Sequence, residues 1–223
     1  ATSKGTISST NLSSLSITAN NNITGGIRFT SGSNTVNNFT VNMTNNSNSV
    51  MLGSSLNVNG QLNLQSGRVN IGANNLTVMS SGSVMGGSVN SYVITGTNGT
   101  LTMNLAAGGS NTYHVGTSTM YAPAMIAANS GSASGMLSVG VNPSVYVNGT
   151  SGAMLSTDQP LVNATWYLAS TASTGLNLNM NLMWSAAMEA NNFNRSQAYI
   201  SHYTNSQWDI TASTAAVTAS NGL

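Results

Sequence analysis

Apolar residues alternate with small polar residues in short runs along the first part of the chain. Between residues 36 and 80 they come in pairs separated by one residue, and Gly, Asn and Ser break the runs. A period of two is typical of β-strands, and frequent turn residues indicate that the strands are short. The pairs are Phe39 and Val41, Leu56 and Val58, Leu62 and Leu64, Val69 and Ile71, and Leu76 and Val78. Two architectures fit, a β-solenoid of stacked rungs or a β-sandwich of short strands, and we favour the solenoid for residues 20–90.

Beyond residue 90 the predicted strands are longer and contain more aromatic residues. The clearest is LNLNMNLMW, which places five large apolar side chains on one face and asparagines on the other: Leu176, Leu178, Met180, Leu182 and Trp184. Such alternation is typical of a half-buried antiparallel strand. All three tryptophans lie past residue 165, which favours a larger core in this part. We therefore predict an Ig-like antiparallel β-sandwich over residues 91–223, and only a single helical turn within a loop at residues 185–193.

Charged residues are scarce. Lys and Arg together number 4, Asp and Glu number 3, and charge makes up 3% of the chain, against about 25% in a typical soluble domain. A nucleic-acid partner would require clustered cations, whereas Lys4, Arg28, Arg68 and Arg195 are scattered singly. No apolar run approaches the ~18 residues that a membrane-spanning helix needs. The composition therefore predicts a neutral β protein without a nucleic-acid partner or a membrane span.

Catalytic and metal-binding patterns are absent from the sequence. The only histidines are His114 and His202, and the only acids are Asp158, Glu189 and Asp209, without a GxSxG-like elbow or an HxH or HExxH pattern. We predict that both histidines are structural and hydrogen-bonded to backbone, that Asp209 caps a turn, and that Arg195 stacks on an aromatic ring or pairs with Glu189. No enzymatic activity, metal or cofactor is expected.

Several motifs resemble those of surface-exposed Bacteroidota proteins that are exported by the type IX secretion pathway. They are YHVGTSTMYAPAMI at residues 113–126, NATWYLAS, and the long stretch that begins MNLMWSAAMEANNF, and the resemblance spans roughly residues 39–218. His114 stands where that family usually has Pro. The resemblance implies an extracellular, cell-surface location and a β-sandwich of the kind that precedes a C-terminal sorting domain in adhesins.

The same resemblance suggests that the sandwich lacks its last strand. The family pattern continues past the segment that corresponds to ITASTAAVTASNGL, and GTISSTNLSSLSITA at residues 5–19 resembles the strand that is missing. We therefore predict three parts: a donor strand (1–19), a solenoid-like region (20–90) and an incomplete sandwich (91–223). The donor strand would use Ile7, Leu12, Leu15 and Ile17, and the acceptor core would contain Leu176, Leu178, Met180, Leu182 and Trp184.

These predictions favour a homopolymer. A strand that enters the sandwich of a neighbouring copy makes a heterologous contact that propagates into a fibre. The first hypothesis is therefore a structural subunit of an extracellular bacterial filament, with copies of itself as partners. The alternative is a monomeric adhesin that contacts glycan or another surface through Tyr and Asn.

Overall fold

The computed structural model describes residues 5–96, 98–172 and 174–212, and it is an all-β fold. Its first part is a β-solenoid of about four turns, in which the chain alternates between two parallel sheets. The first sheet takes its parallel strands from β1 (Ser14–Ile17), β3 (Thr35–Asn42), β5 (Leu56–Ser66), β7 (Asn75–Val78), β8 (Ser83–Gly86) and β10 (Thr100–Leu105). The second contains β2 (Ile23–Ile27), β4 (Ser49–Leu52), β6 (Arg68–Gly72), β9 (Val93–Thr95) and β12 (Val115–Gly116). The predicted solenoid-like arrangement is confirmed, and its parallel strands extend beyond residues 20–90 on both sides, from β1 to β12.

Antiparallel strands follow and extend the first sheet. β14 (Gly135–Asn142) pairs with β10, and β16 (Thr165–Ser170) pairs with β14, which gives an eight-stranded sheet bounded by β1 and β16. A separate three-stranded antiparallel sheet contains β11 (Ser110–Tyr113), β13 (Ala124–Ala128) and β17 (Leu178–Leu182). Two small hairpin-like pairs complete the described part: β15 (Leu161–Val162) with β18 (Glu189–Ala190), and β19 (Ile200–Thr204) with β20 (Gln207–Ala212).

The described helical structure is limited to three 3-10 turns. They span Leu155–Thr157, Ala186–Met188 and Arg195–Gln197. The second of these confirms the predicted single turn within the loop at residues 185–193. The stretch is too short for a stable helix, and two residues just after it, Asn191 and Asn192, adopt positive φ angles that a right-handed helix does not allow.

The solenoid core is built from the paired apolar residues of the sequence pattern. All ten members of the five predicted pairs are buried. Leu15, Phe39, Leu62 and Val84 lie opposite one another in register, one from each successive turn. The apolar side chains that the alternating pattern predicted to be buried therefore form a continuous stack across the turns. It joins the inward residues of the antiparallel strands in one hydrophobic cluster that extends from Ile17 to Met188.

Neutral polar side chains link the turns of the solenoid on the outside. Neighbouring strands lie about 4.8 Å apart, so a charge repeated at one position of successive turns would face a like charge. Amides instead reach a neighbouring turn: Asn34 donates to the carbonyl of Ser55, and Asn74 donates to that of Leu52. The Asn22 side chain accepts from the backbone N–H of Ser49. The architecture thus accounts for the low charge and high asparagine content.

The C-terminal part differs from the prediction in where its largest residues are buried. Trp166, Trp184 and Trp208 are only partly buried, whereas the largest fully buried side chains all lie between Phe39 and Ile126. The expectation of a larger C-terminal core is therefore wrong, because the tryptophans cover the margins of the core. The structure also does not confirm an Ig-like sandwich, since β14 and β16 extend the sheet of the solenoid.

The predicted donor strand is likewise not confirmed. Ser14–Ile17 forms β1, the first strand of the chain's own solenoid, and pairs in parallel with β3. This parallel pairing places Leu15 and Ile17 opposite Phe39 and Val41, whose side chains are fully buried. The apolar residues of the predicted donor strand therefore pack on the core of their own chain. Residues 1–4 of the predicted donor strand and residues 213–223 at the end of the predicted sandwich lie outside the described residues.

Candidate functional site

The N-terminal segment lies at one end of the solenoid and leaves a strand edge open. β1 is the first strand of the eight-stranded sheet and β2 is the first strand of the five-stranded sheet. Within the described part of the chain, no strand pairs with the outer edge of either. An edge of this kind presents unpaired N–H and C=O groups that can pair with a strand from another chain.

The four predicted donor residues divide into two groups. Ile17 is 7% exposed, and Leu15 is partly buried against the core. Ile7 is 45% exposed, although its backbone pairs with the segment around Phe29, and Leu12 lies in a turn with 85% of its side chain exposed. The chain therefore buries half of this set and leaves the other half at the open end of the solenoid.

Backbone hydrogen bonds hold the N-terminal segment in place. The N–H of Ile7 donates to the carbonyl of Arg28 at 2.8 Å, and its carbonyl accepts from the N–H of Thr30 at 2.9 Å. Further along, Ser9 donates to Ser33, and Ser13 accepts from Asn37. The segment is therefore a rung of the solenoid from residue 7 onwards, before β1 itself begins.

β16 forms the opposite edge of the same eight-stranded sheet. Its inward side chains Trp166 and Leu168 are partly buried against the core, and the Trp166 indole N–H donates to the carbonyl of Ala122 at 2.9 Å. Because the N–H of Thr171 donates to Met136 on the β14 side, ladder alternation turns the peptide groups of Leu168 and Trp166 towards the free edge. These two residues are not among the predicted site residues, although the alternation within TWYLAS was the available signal.

The predicted acceptor residues lie on and around β17, which is also an edge strand. The strand is antiparallel as predicted and pairs with β13, but it spans only Leu178–Leu182. Leu178, Leu182 and Trp184 are partly buried against the core. Leu176 is 37% exposed and Met180 is 38% exposed, although Met180 lies opposite the fully buried Ile126. The face that was predicted to form an acceptor core is therefore only half covered.

A charged cluster braces the loop that follows β17. Glu189 Oε1 accepts from Arg195 Nε at 2.6 Å and from Trp184 Nε1 at 2.9 Å, and Phe193 packs edge-on against Trp184. Burial would raise the pKa of Glu189, but the hydrogen bonds from Arg195 and Trp184 and the charge of Arg195 hold it below its usual value. The predicted pairing of Arg195 with Glu189 is confirmed, and it fixes Trp184 beside the β17 edge.

His114 belongs to an aromatic cluster at the end of β11. Its Nδ1 lies 2.5 Å from the Tyr121 hydroxyl, its ring stacks on the Tyr121 ring, and Tyr121 contacts Tyr92. Burial lowers the pKa of His114 and raises that of Tyr121 to about 12. The predicted backbone partner is thus wrong, because a tyrosine hydroxyl occupies that position.

Asp209 also differs from expectation. His202 is exposed on β19, and its backbone N–H donates to the Asp209 carboxylate. A backbone partner for the His202 imidazole stays a prediction. Asp209 lies within β20, opposite His202, and not in a turn.

The described residues contain no group of three His, Asp or Glu side chains that could hold a metal ion.

A groove of about 390 Å³ lies beside β8 and β11, which are both edge strands. Its lining is uncharged apart from the titratable imidazole of His114 and includes Met79, Asn104, Asn111 and Thr112. Met79 is 38% exposed. Such a lining can offer hydrogen bonds and apolar contacts to a neutral ligand.

The three described arginines are engaged by the chain itself. Arg28 donates to the carbonyls of Gly25 and Gly26, and Arg68 lies over the Tyr92 ring at 5.1 Å and donates to Ser118. Arg195 binds Glu189.

None of the helices that the structure describes is long and apolar enough to cross a membrane.

Comparisons of the chain with protein-family models, with curated proteins and with solved structures found no match. The resemblance to type IX surface proteins therefore stays a prediction from the sequence motifs, and the candidate site is defined by the strand edges alone.

Proposed function

We propose that the protein is a structural subunit of an extracellular bacterial filament that polymerises when the N-terminal strand of one copy adds to the C-terminal β layers of the next. The observation that carries the proposal is that the two boundaries of one sheet, β1 and β16, both have free edges within the described part of the chain. A contact between two different edges is heterologous and leaves each new copy with the same free edges, so addition continues.

Half-buried apolar residues at both ends support this proposal. Leu15, Ile23 and Ile27 line the N-terminal end, and Trp166, Leu168 and Leu178 line the other end. Fully burying a large aliphatic side chain contributes roughly 1.5–3 kcal/mol, and every ladder hydrogen bond adds about 1 kcal/mol. Even partial burial of these rows favours association of the edges. In this proposal the β16 and β17 layers act as the acceptor that the resemblance describes as an incomplete sandwich.

The subunit has no catalytic role in this proposal, and its location is the cell surface. Export by the type IX pathway and a Bacteroidota origin are part of the same proposal and rest on the sequence motifs. Adhesion and cohesion between cells are uses that suit a neutral fibre.

The experiment is to follow the purified chain by sedimentation and negative-stain microscopy over a range of concentrations. We expect filaments, and we expect Ser16→Lys on β1 to raise the critical concentration for assembly, because a lysine on an edge strand opposes strand addition. Gln65→Lys is the matched control, since Gln65 is an exposed residue of β5, which has a partner strand on both sides. An equal effect of both substitutions would contradict edge pairing.

A monomeric adhesin is the second candidate, and the groove beside β8 and β11 favours it. Its Asn104, Asn111 and Thr112 side chains suit the hydroxyl groups of a neutral glycan. Monodisperse 22.7 kDa material at all concentrations, together with glycan binding that His114→Ala weakens, would replace the filament proposal with this one.

A further inference from the structure

We infer that β1 stays in its own solenoid when copies join, and that its free edge pairs with the free edge of β16 of a second copy. This inference rests on the proposed function and specifies its geometry. The eight-stranded sheet of one subunit would then continue into that of the next, without any segment leaving its place.

Retention of β1 follows from what its release would uncover. Ile17 is 7% exposed, and the residues opposite Leu15 and Ile17, Phe39 and Val41, are fully buried. Release would expose this pair of contacts and break the backbone hydrogen bonds that residues 7–13 make to residues 28–37. A neighbouring groove would have to return this burial and these hydrogen bonds before a detached strand gained anything over a retained one.

The free edge of β1 is already in strand conformation. Pairing along it therefore requires little new ordering of the backbone, which is the main cost when a flexible segment binds as a strand. Its exposed residues Ser14 and Ser16 are small and uncharged, so they place no side chain that would block an approaching strand.

The β16 edge is likewise already in strand conformation and carries a small exposed side chain. Its outward peptide groups belong to Trp166 and Leu168, whose side chains point into the core, and its outward residue Ala169 is small and exposed. Leu178 and Leu182 of β17 pack against the same hydrophobic cluster as Trp166 and Leu168. Because β1 is the free edge at the other boundary of the sheet that β16 ends, a second copy can present its β1 to the edge that β16 offers. A second copy of the chain is therefore the occupant that the geometry favours.

A disulfide lock tests whether β1 leaves its solenoid. Ser16 and Thr40 lie directly opposite each other on β1 and β3, and the chain contains no cysteine, so Ser16→Cys with Thr40→Cys creates one unique bridge. If the inference holds, the oxidised double variant assembles with a critical concentration within about two-fold of its reduced form. Assembly of the reduced form alone would overturn the inference, because it would mean that the strand must detach.

A second variant tests the acceptor edge. Ala169→Lys on β16 should raise the critical concentration at least about ten-fold, which corresponds to ~1.4 kcal/mol per added subunit, while Gln65→Lys should leave it nearly unchanged. A normal critical concentration for Ala169→Lys would show that β16 is not the acceptor. The unmodified chain shows whether a failure concerns the inferred geometry or the proposed function. If the unmodified chain forms filaments while either variant test fails, the inferred geometry is wrong and the proposed function stands. If the unmodified chain forms none, the proposed function itself fails.

Discussion

At the scale of single residues, glycines allow elements of the solenoid to approach closely. Gly87 has φ +88°, and a Cβ placed there would come within 2.2 Å of the His114 ring. Only glycine satisfies both the backbone angle and the close contact. The position thus couples the end of β8 to the aromatic cluster around His114.

Gly87→Ala should therefore lower stability by more than backbone strain alone. A left-handed conformation costs about 1–2 kcal/mol for a residue with a Cβ, and displacement of the His114 ring adds to it. The matched control is Gly108→Ala, because Gly108 has φ +70° and no atom lies within 4 Å of the place that an added Cβ would take. Urea unfolding measures both variants. Equal losses would show that the His114 ring moves aside at no cost.

The pH dependence of stability should report on His114. Because burial lowers the pKa of His114 in the folded state, the unfolded chain binds its proton more readily. The contribution of neutral His114 to the free energy of unfolding is therefore complete above the unfolded pKa of about 6.5. It is lost as the pH falls from that value towards the lower folded pKa. His114→Gln should flatten this part of the unfolding free energy profile relative to the unmodified chain. An unchanged slope in His114→Gln would contradict this assignment.

At the scale of elements, alternation identifies strands better than it identifies their partners. The pairs from Phe39 to Val78 are buried as predicted because every rung of a solenoid repeats the same local pattern. The pairing of β14 and β16 with the solenoid sheet depends on contacts far apart in sequence, which a period of two does not encode.

The predicted site shows the same limit. Ile17 and Leu12 have equally apolar side chains, yet one is buried in β1 and the other is exposed in a turn. Similarly, Met180 has the same alternation as Leu178 and Leu182, but it is 38% exposed whereas the two leucines are partly buried against the core. Composition and period predicted which segments are strands, and the sheet order decided which of them have free edges.

A core substitution in β5 should therefore cost much more than one at the end of the solenoid. Leu62 is fully buried and lies between Phe39 and Val84 in the stack, so Leu62→Ala should lower the free energy of unfolding by about 2–5 kcal/mol. Leu12→Ala, at an 85% exposed position, should change it by less than about 0.5 kcal/mol. Urea unfolding of dilute monomer provides the comparison. A large loss for Leu12→Ala would mean that the turn at residue 12 is packed in solution.

At the scale of the whole molecule, the near absence of charge determines how the proposed filament should respond to solution conditions. The chain has a formal net charge of +1, and the described arginines are engaged within the subunit. Association by backbone pairing and apolar contact has almost no Coulomb term for salt to screen. Molar salt shortens the screening length to about 3 Å, which matters little for an interface without opposed charges.

The proposed filament should consequently persist in about 1 M NaCl, with a pelleted fraction similar to that in dilute buffer. Urea should release subunits, because it solvates both apolar and peptide groups. Sulfate should strengthen assembly for the opposite reason, since it is excluded from protein surfaces. Sedimentation at matched protein concentration measures all three effects. Filaments that dissolve on modest addition of NaCl would show that charge pairs join the copies, and edge pairing of β1 with β16 would then no longer explain the contact.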